Sequence, residues 1–208
     1  MSLKVKTILK NVFFSFGWLA LLVFVVDIVT KWSFQLNLKE HELITLIPNF
    51  LWITLEHNLG AAFSIGSNGE LWARIMWICV SFVMSFLIMF YYVKKYKTFN
   101  NWYKAALMLM FSGAVGNLID RAFYWNDLVG FDGVIDWIKV TSWFPVFNIA
   151  DSALVIGVLI IIVLLIIELI QDVIKKNKMG AYEMKPKDFE NKIKEEENEN
   201  KKDGNKEN

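Results

Sequence analysis

The sequence predicts an all-α membrane protein of four transmembrane helices with a small β element on one membrane face, and three observations point there. The 208 residues are 55% hydrophobic and 15% aromatic with a mean hydropathy of +0.38, too apolar for an ordinary water-soluble enzyme. Four stretches, 12–29, 71–93, 102–118 and 150–170, approach the roughly 20 mostly apolar residues a helix needs to cross the hydrocarbon core. Charge is also partitioned. Of the charged residues, 10 of 22 basic and 10 of 21 acidic ones follow Gln171, so the net charge of +1 hides a sparsely charged body.

The first stretch follows Lys4, Lys6 and Lys10 and has the basic start and apolar run of a signal peptide. No small-x-small cleavage site follows, and Asp27 interrupts the run, so it is read as a retained helix. Trp32, Trp72, Tyr91, Tyr92 and Trp102 mark helix ends, since amphipathic rings favour the headgroup level. Lys94, Lys95, Lys97 and Lys104 surround the second connection, and Lys175, Lys176 and Lys178 follow the fourth helix. These basic segments are expected in the cytoplasm with both termini, and the acid-richer connections 31–70 and 120–149 outside.

In the first outer connection, 47–56 reads as strand-like after Pro48, and 60–69 supplies glycines and an Asn68-Gly69 turn signal. Irregular backbone cannot sit unsatisfied in lipid, so this segment belongs at the interface or packed on the helices. The charged tail, 172–208, is expected to be disordered beyond about residue 185, because it lacks the apolar surface to offset chain entropy. Cys79, the single cysteine, lies mid-helix and reads as a small packing residue. With no Cys/His cluster, no metal and no cofactor are expected.

Ionisable side chains at membrane depth cost about 2.5–3.5 kcal/mol each on insertion scales, so each needs a partner or a purpose. Asp27 and Lys31 share a helix face at i and i+4, either as a helix-end ion pair with Lys31 reaching outward or as a substrate contact. Gly113 and Gly116 permit close helix approach, and Asn117 offers both a donor and an acceptor. Asp120 and Arg121 are expected at the outer surface as capping and scaffolding groups, ahead of catalysis. Asp136 stands in the apolar string Val134-Ile135-Asp136-Trp137-Ile138, where its carboxylate is partly desolvated.

Asp151 lies at the mouth of the fourth helix, where the dipole favours an anion, and a helix cap at Asn148 or Asp151 explains the position without chemistry. Brought together at a wet spot, however, two carboxyl groups share one proton and provide an acid and a base. Other hydrolytic machinery is poorly represented. His41-Glu42 begins a zinc-protease-like string but Thr45 stands where the second His is required, and His57 has no recognisable Ser or Cys partner.

Five strings in order, Asp27-x-x-x-Lys31, Asn58-Leu59-Gly60-Ala61-Ala62-Phe63, Gly116-Asn117-Leu118-Ile119-Asp120-Arg121, Val134-Ile135-Asp136 and Phe147-Asn148-Ile149-Ala150-Asp151-Ser152, resemble the lipoprotein signal peptidase family, the type II signal peptidases of bacteria. The resemblance covers about residues 10 to 171, and its specificity lies in the joint match. It implies a membrane aspartic endopeptidase that removes signal peptides from prolipoproteins, cutting just before a diacylglyceryl-modified cysteine. The implied catalytic pair is Asp136 and Asp151. Asn58, Gly60, Arg121 and Asn148 are implied at the substrate-binding surface, with Asp27, Lys31, Asn117 and Asp120 shaping the site. The implied fold is four transmembrane helices with an extracytoplasmic β-cradle and a short interfacial helix. The implied partners are diacylglyceryl-modified prolipoproteins and membrane lipids, not nucleic acid.

Two features depart from the family pattern: the charged tail, and a long segment at 122–133 that includes Asp127 and Asp132. Two other function classes compete. A proton-coupled carrier would use Asp27 and Asp120 as relay groups, but no internal repeat is found and the polar residues collect at one membrane face, not the midplane. A non-catalytic assembly scaffold would need neither Asp136 nor Asp151.

Overall fold

No water is available in hydrocarbon to satisfy a peptide group, so apolar stretches that enter it close their backbone bonds within helices. The computed structural model describes residues 3–59, 71–124, 130, 131 and 133–203. Four of its helices are long and apolar enough to cross a membrane. In order, the elements are α1 (Leu3–Val12), a π-helical turn (Phe13–Gly17), α2 (Trp18–Asn37), β1 (Ile44–Ile47), β2 (Leu51–Asn58), α3 (Leu71–Lys95), α4 (Asn101–Phe123), β3 (Val134–Val140) and α5 (Ile149–Asp203). Three of the expected spans are present and extend past their apolar stretches, whereas the first, expected at 12–29, is broken at Ser15 and Phe16 and runs as α2 from Trp18 to Asn37.

Local chemistry sets several ends. Asn100 caps α4, its side-chain oxygen accepting the Tyr103 N–H at 2.9 Å. Between helices, the Ser112 hydroxyl of α4 donates to the Ala20 carbonyl of α2 at 2.9 Å. Val12, Ala20, Ile88, Tyr92, Leu107 and Met108 form one buried cluster. Large apolar side chains such as Leu21, Val25, Phe82, Phe86, Val155 and Leu159 remain exposed on the protein, as a surface solvated by lipid requires. Cys79 is on this exposed surface too and is not the packing residue that its mid-helix position predicts.

The sheet has strand order β1-β2-β3, antiparallel throughout. The single strand-like stretch expected at 47–56 is instead a hairpin. Ile47 pairs with Leu51 across Pro48, Asn49 and Phe50, and Asn49 takes a φ of +60°, a conformation that asparagine tolerates. In β3, Val134 pairs with Asn58 and Asp136 with Glu56. Gly133, at φ +98°, leads into this strand, and a Cβ there would lie 2.6 Å from the Asn58 carbonyl oxygen, so only glycine fits. A second cluster, Leu55, Tyr124, Phe131 and Ile135, packs with Trp32 and Leu38 beneath the sheet. The Trp32 indole N–H donates to the Tyr124 hydroxyl at 2.7 Å. The Asn68-Gly69 turn, Asp127 and Asp132 lie outside the described residues.

The chain groups into two units, Met1–Ile161 and Ile162–Asn208. The first holds the sheet and most of the helical packing. The second is the remainder of α5, helical to Asp203 where disorder is expected beyond about residue 185. Lys and Glu are good helix formers, so backbone closure there needs no apolar partner.

Candidate active site

The middle of α2 carries Asp27 and Lys31 one helical turn apart, not the helix end expected for an ion pair. The Lys31 ammonium lies 2.7 Å from Asp27 Oδ2 and 2.7 Å from Asp120 Oδ2 of α4, and it donates to Asn117 Oδ1 at 3.1 Å. All three charged groups are buried, with Lys31 and Asp120 at 0% exposure. Two expectations are thereby corrected. Lys31 does not reach outward to solvent, because two carboxylates hold it within the protein. Asp120 is not a surface cap, because it supplies the second of those charges. The remaining oxygen of Asp27 accepts the Ala150 N–H at 2.8 Å, one of the orphan donors at the start of α5.

That helix begins with reciprocal capping. Asn148 Oδ1 accepts the Asp151 N–H at 2.9 Å, and Asp151 Oδ2 accepts the Asn148 N–H at 3.2 Å. The capping explanation therefore holds for both residues without exhausting their bonds. Asn148 Nδ2 donates to Asp136 Oδ1 at 2.7 Å, with longer contacts to Asn117 Oδ1 and the Ile135 carbonyl. Asn117 Nδ2 donates to Asp151 Oδ1 at 2.6 Å. From the end of β2, Asn58 Nδ2 donates to Asp136 Oδ2 at 3.0 Å.

Glycine makes this convergence sterically feasible. A Cβ on Gly113 would fall 2.2 Å from the Ala150 carbonyl oxygen, and one on Gly116 would fall 2.8 Å from Asp27 Oδ2. The close approach expected of these two residues thus brings the start of α5 against α4.

Asp136 and Asp151 are joined through Asn148, and their environments differ. Asp136 is 2% exposed whereas Asp151 is half-buried. Burial, and then the negative charge of Asp151, raise the Asp136 carboxyl well above the ordinary carboxylate range, against the opposing hydrogen bond from Asn58. Arg121 stands close enough for its charge to act on both carboxyl groups, and its Nη1 donates to the Asn117 carbonyl at 3.4 Å. Such a site can hold one proton between two oxygen acids beside a fixed cation. Among the described residues, no group of three His, Cys, Asp or Glu side chains is arranged to hold a metal ion.

Of the site residues read from the sequence, the structure gathers Asp27, Lys31, Asn58, Asn117, Asp120, Arg121, Asp136, Asn148 and Asp151 into one connected network. Gly60 lies outside the described residues. Two supporting residues escape sequence reasoning. Arg74 of α3 donates through Nε to the Arg121 carbonyl at 2.8 Å and through Nη2 to the Tyr124 carbonyl, fastening the end of α4. Gly133 admits β3 beside Asn58. The Arg74 position carries no local signal beyond a charge at a helix entrance, while the glycine before an apolar string is a legible hint of a tight backbone position.

The family profile described as signal peptidase (SPase) II matches residues 19–167. The lipoprotein signal peptidase of Pseudomonas paraeruginosa is 37% identical over 144 residues, covering 67% of this chain and 80% of that protein. The lipoprotein signal peptidase of Pseudomonas syringae pv. tomato is 35% identical over 148 residues, covering 69% of this chain and 81% of that one. A bacterial membrane enzyme solved at 2.3 Å resolution superposes with a TM-score of 0.60 at 32% identity, over 72% of this chain and 86% of that one. A second bacterial membrane enzyme, solved at 1.9 Å, gives a TM-score of 0.58 at 34% identity, over 70% and 88%.

Proposed function

The chain belongs to the signal peptidase II family, membrane aspartic peptidases that remove signal peptides from prolipoproteins, and from that premise we propose that Asp136 and Asp151 carry out the hydrolysis through an activated water. One observation carries the assignment: a single residue, Asn148, donates its side-chain amide to one carboxyl group and its backbone N–H to the other. The pair works as a monoanion. Its carboxylate takes a proton from water as the water oxygen bonds to the scissile carbonyl carbon, and its acid protonates the carbonyl oxygen. As the tetrahedral intermediate collapses, the pair's carboxylate takes a proton from one of its hydroxyl groups, the C–N bond breaks and the leaving amine takes the proton of the pair's acid, which returns the pair to a monoanion.

Asn58 and Arg121 are the proposed peptide contacts, with amide and guanidinium donors that suit the carbonyl groups of an extended peptide; Asn148, fully buried, supports that surface from behind through its bond to Asp136, and Gly60, outside the described residues, is assigned to it from the family pattern alone. Asp27, Lys31, Asn117 and Asp120 form the support that fixes the start of α5. The cut falls immediately before the diacylglyceryl-modified cysteine, because a site at the membrane surface between apolar helices can keep two acyl chains in lipid while the peptide meets the acids. The basic segments support a topology with both termini in the cytoplasm and the pair near the outer leaflet. The catalytic unit is 1–171, with 172–208 as a charged cytoplasmic tail.

The test is cleavage by purified protein in lipid, with a diacylglyceryl prolipoprotein and its unmodified form at matched concentration. Preferential cleavage of the diacylated form, with the modified cysteine as the new N-terminus, is the expected result. Equal rates, or a new terminus elsewhere, would overturn the lipid-directed reading.

A further inference from the structure

Helix α1 has no part in the site, and its sequence has a regular pattern of its own. Val5, Ile8, Leu9 and Val12 fall at i, i+3, i+4 and i+7, one face of a helix. Lys6, Lys10 and Asn11 fall off that face, and the helix contains no acidic residue. Val12 is buried in the cluster with Tyr92 and Met108, but Val5, Ile8 and Leu9 are 43%, 41% and 54% exposed. Lys6 and Lys10 are exposed, and among the described residues neither forms an ion pair.

Length excludes α1 from the membrane core. The helical run Val5–Asn37 has 33 residues, on the order of 50 Å if straight, against a hydrocarbon core of about 30 Å. The 20 residues of α2 alone supply about 30 Å. The chain breaks where the surplus begins. Ser15 (φ −93°, ψ 37°) and Phe16 (φ 98°, ψ −3°) leave helical geometry, and the Tyr92 hydroxyl of α3 donates to the Ser15 carbonyl freed by the break. Phe13 and Phe14 are exposed beside it, large apolar rings at the level where the chain leaves the core.

We propose that α1 is a membrane-surface helix, its Val5, Ile8 and Leu9 stripe set into the acyl boundary and Lys6 and Lys10 binding the phosphates of anionic lipid headgroups. The exposed stripe lies next in the chain to the exposed Phe13 and Phe14, and the unpaired positive charge complements an acidic bilayer surface. The inference is independent of which way the chain inserts and of the catalytic assignment.

It can be tested on the full chain carrying Cys79→Ser and one new cysteine, Leu9→Cys or Asn11→Cys, labelled with a fluorophore. The protein is placed in vesicles of phosphatidylcholine with or without phosphatidylglycerol. The expected result with phosphatidylglycerol is at least threefold weaker quenching by acrylamide at position 9 than at position 11, with strong quenching at 9 by lipids brominated at shallow acyl positions. That contrast should shrink in phosphatidylcholine alone, and equally in the Lys6→Gln, Lys10→Gln double variant, which still cleaves prolipoprotein and is therefore folded. Equal acrylamide quenching at both positions would overturn the proposal. Shielding at position 9 without bromolipid quenching would overturn it too, showing that a second copy or another protein surface covers the stripe. A contrast indifferent to phosphatidylglycerol and to both lysines would remove the anionic headgroup from it.

Discussion

Two carboxylate groupings lie next to one another in this protein, and they differ in their counter-charge. Asp27 and Asp120 flank Lys31, each 2.7 Å from its ammonium, so the cluster is bound by full charges. Asp136 and Asp151 receive their hydrogen bonds from Asn58, Asn117 and Asn148, neutral donors, with the Arg121 charge near both but bonded to neither by hydrogen. Inside a low dielectric, a carboxylate facing an ammonium is held ionised and serves as structure. A pair held by amides retains a proton that can move. On the proposed assignment, identical side chains are a strut in one place and an acid–base couple in the other, and the neighbours decide which.

The comparison can be broken most severely at the couple. Asp136→Asn and Asp151→Asn are each expected to lower single-turnover cleavage by roughly 10⁴-fold, the upper end of what a positioned acid or base contributes, while the protein stays folded. Near-normal turnover in either variant would dissolve the distinction. The strut should behave in the opposite way. Lys31→Met leaves two carboxylates uncompensated and is expected to cost about 3–5 kcal/mol in reversible unfolding, largely recovered when Asp27→Asn and Asp120→Asn are added. A loss of turnover with unchanged stability would move Lys31 from strut to chemistry.

Smaller changes sharpen the contrast. Asn58→Ala removes one donor to Asp136 and is expected to lower kcat/KM by an amount equivalent to about 1.5–3 kcal/mol, with little effect on folding. The pH dependence of stability carries a sign. The Asp136 carboxyl is raised in the folded protein, by burial first and then by Asp151, so its contribution is fully present below the unfolded value of about 3.9 and is lost as pH rises through the folded one. The unfolding midpoint should therefore fall across that window, and Asp136→Asn should flatten the slope. A slope of the opposite sign would contradict the raised carboxyl. Ending the chain after Lys185 should change turnover per inserted molecule least of all, since that charged segment is read as lying across the bilayer from the couple.

The four spans were legible because length and apolarity in a bilayer leave the backbone few alternatives, and the site was legible because its polar residues stand out against that background. Partner choice was much less so. Asp27–Lys31 was readable as an i,i+4 pair, but Asp120, 89 positions beyond Lys31, could be assigned to that ammonium only once α2 and α4 were packed. Local spacing placed Asp120 at a surface that tertiary contact then covered. Hairpin register was similarly hidden. A turn built on Asn49 at positive φ divides one apolar stretch into two strands, and no alternation in 47–56 marks where. Asn148 was legible as a cap, while its bond to Asp136 depended on the approach of β3.

Three separate connections supply the couple's immediate surroundings: Asn58 precedes α3, Asp136 follows α4, and Asn148 with Asp151 opens α5. For biogenesis, if Asp136 and Asp151 are the catalytic pair as proposed, this dispersal means that a nascent chain has no working peptidase while its last helix is still outside the bilayer. The final insertion event arms the enzyme, and a chain stalled before it can neither process a precursor nor cut a neighbour during its own assembly.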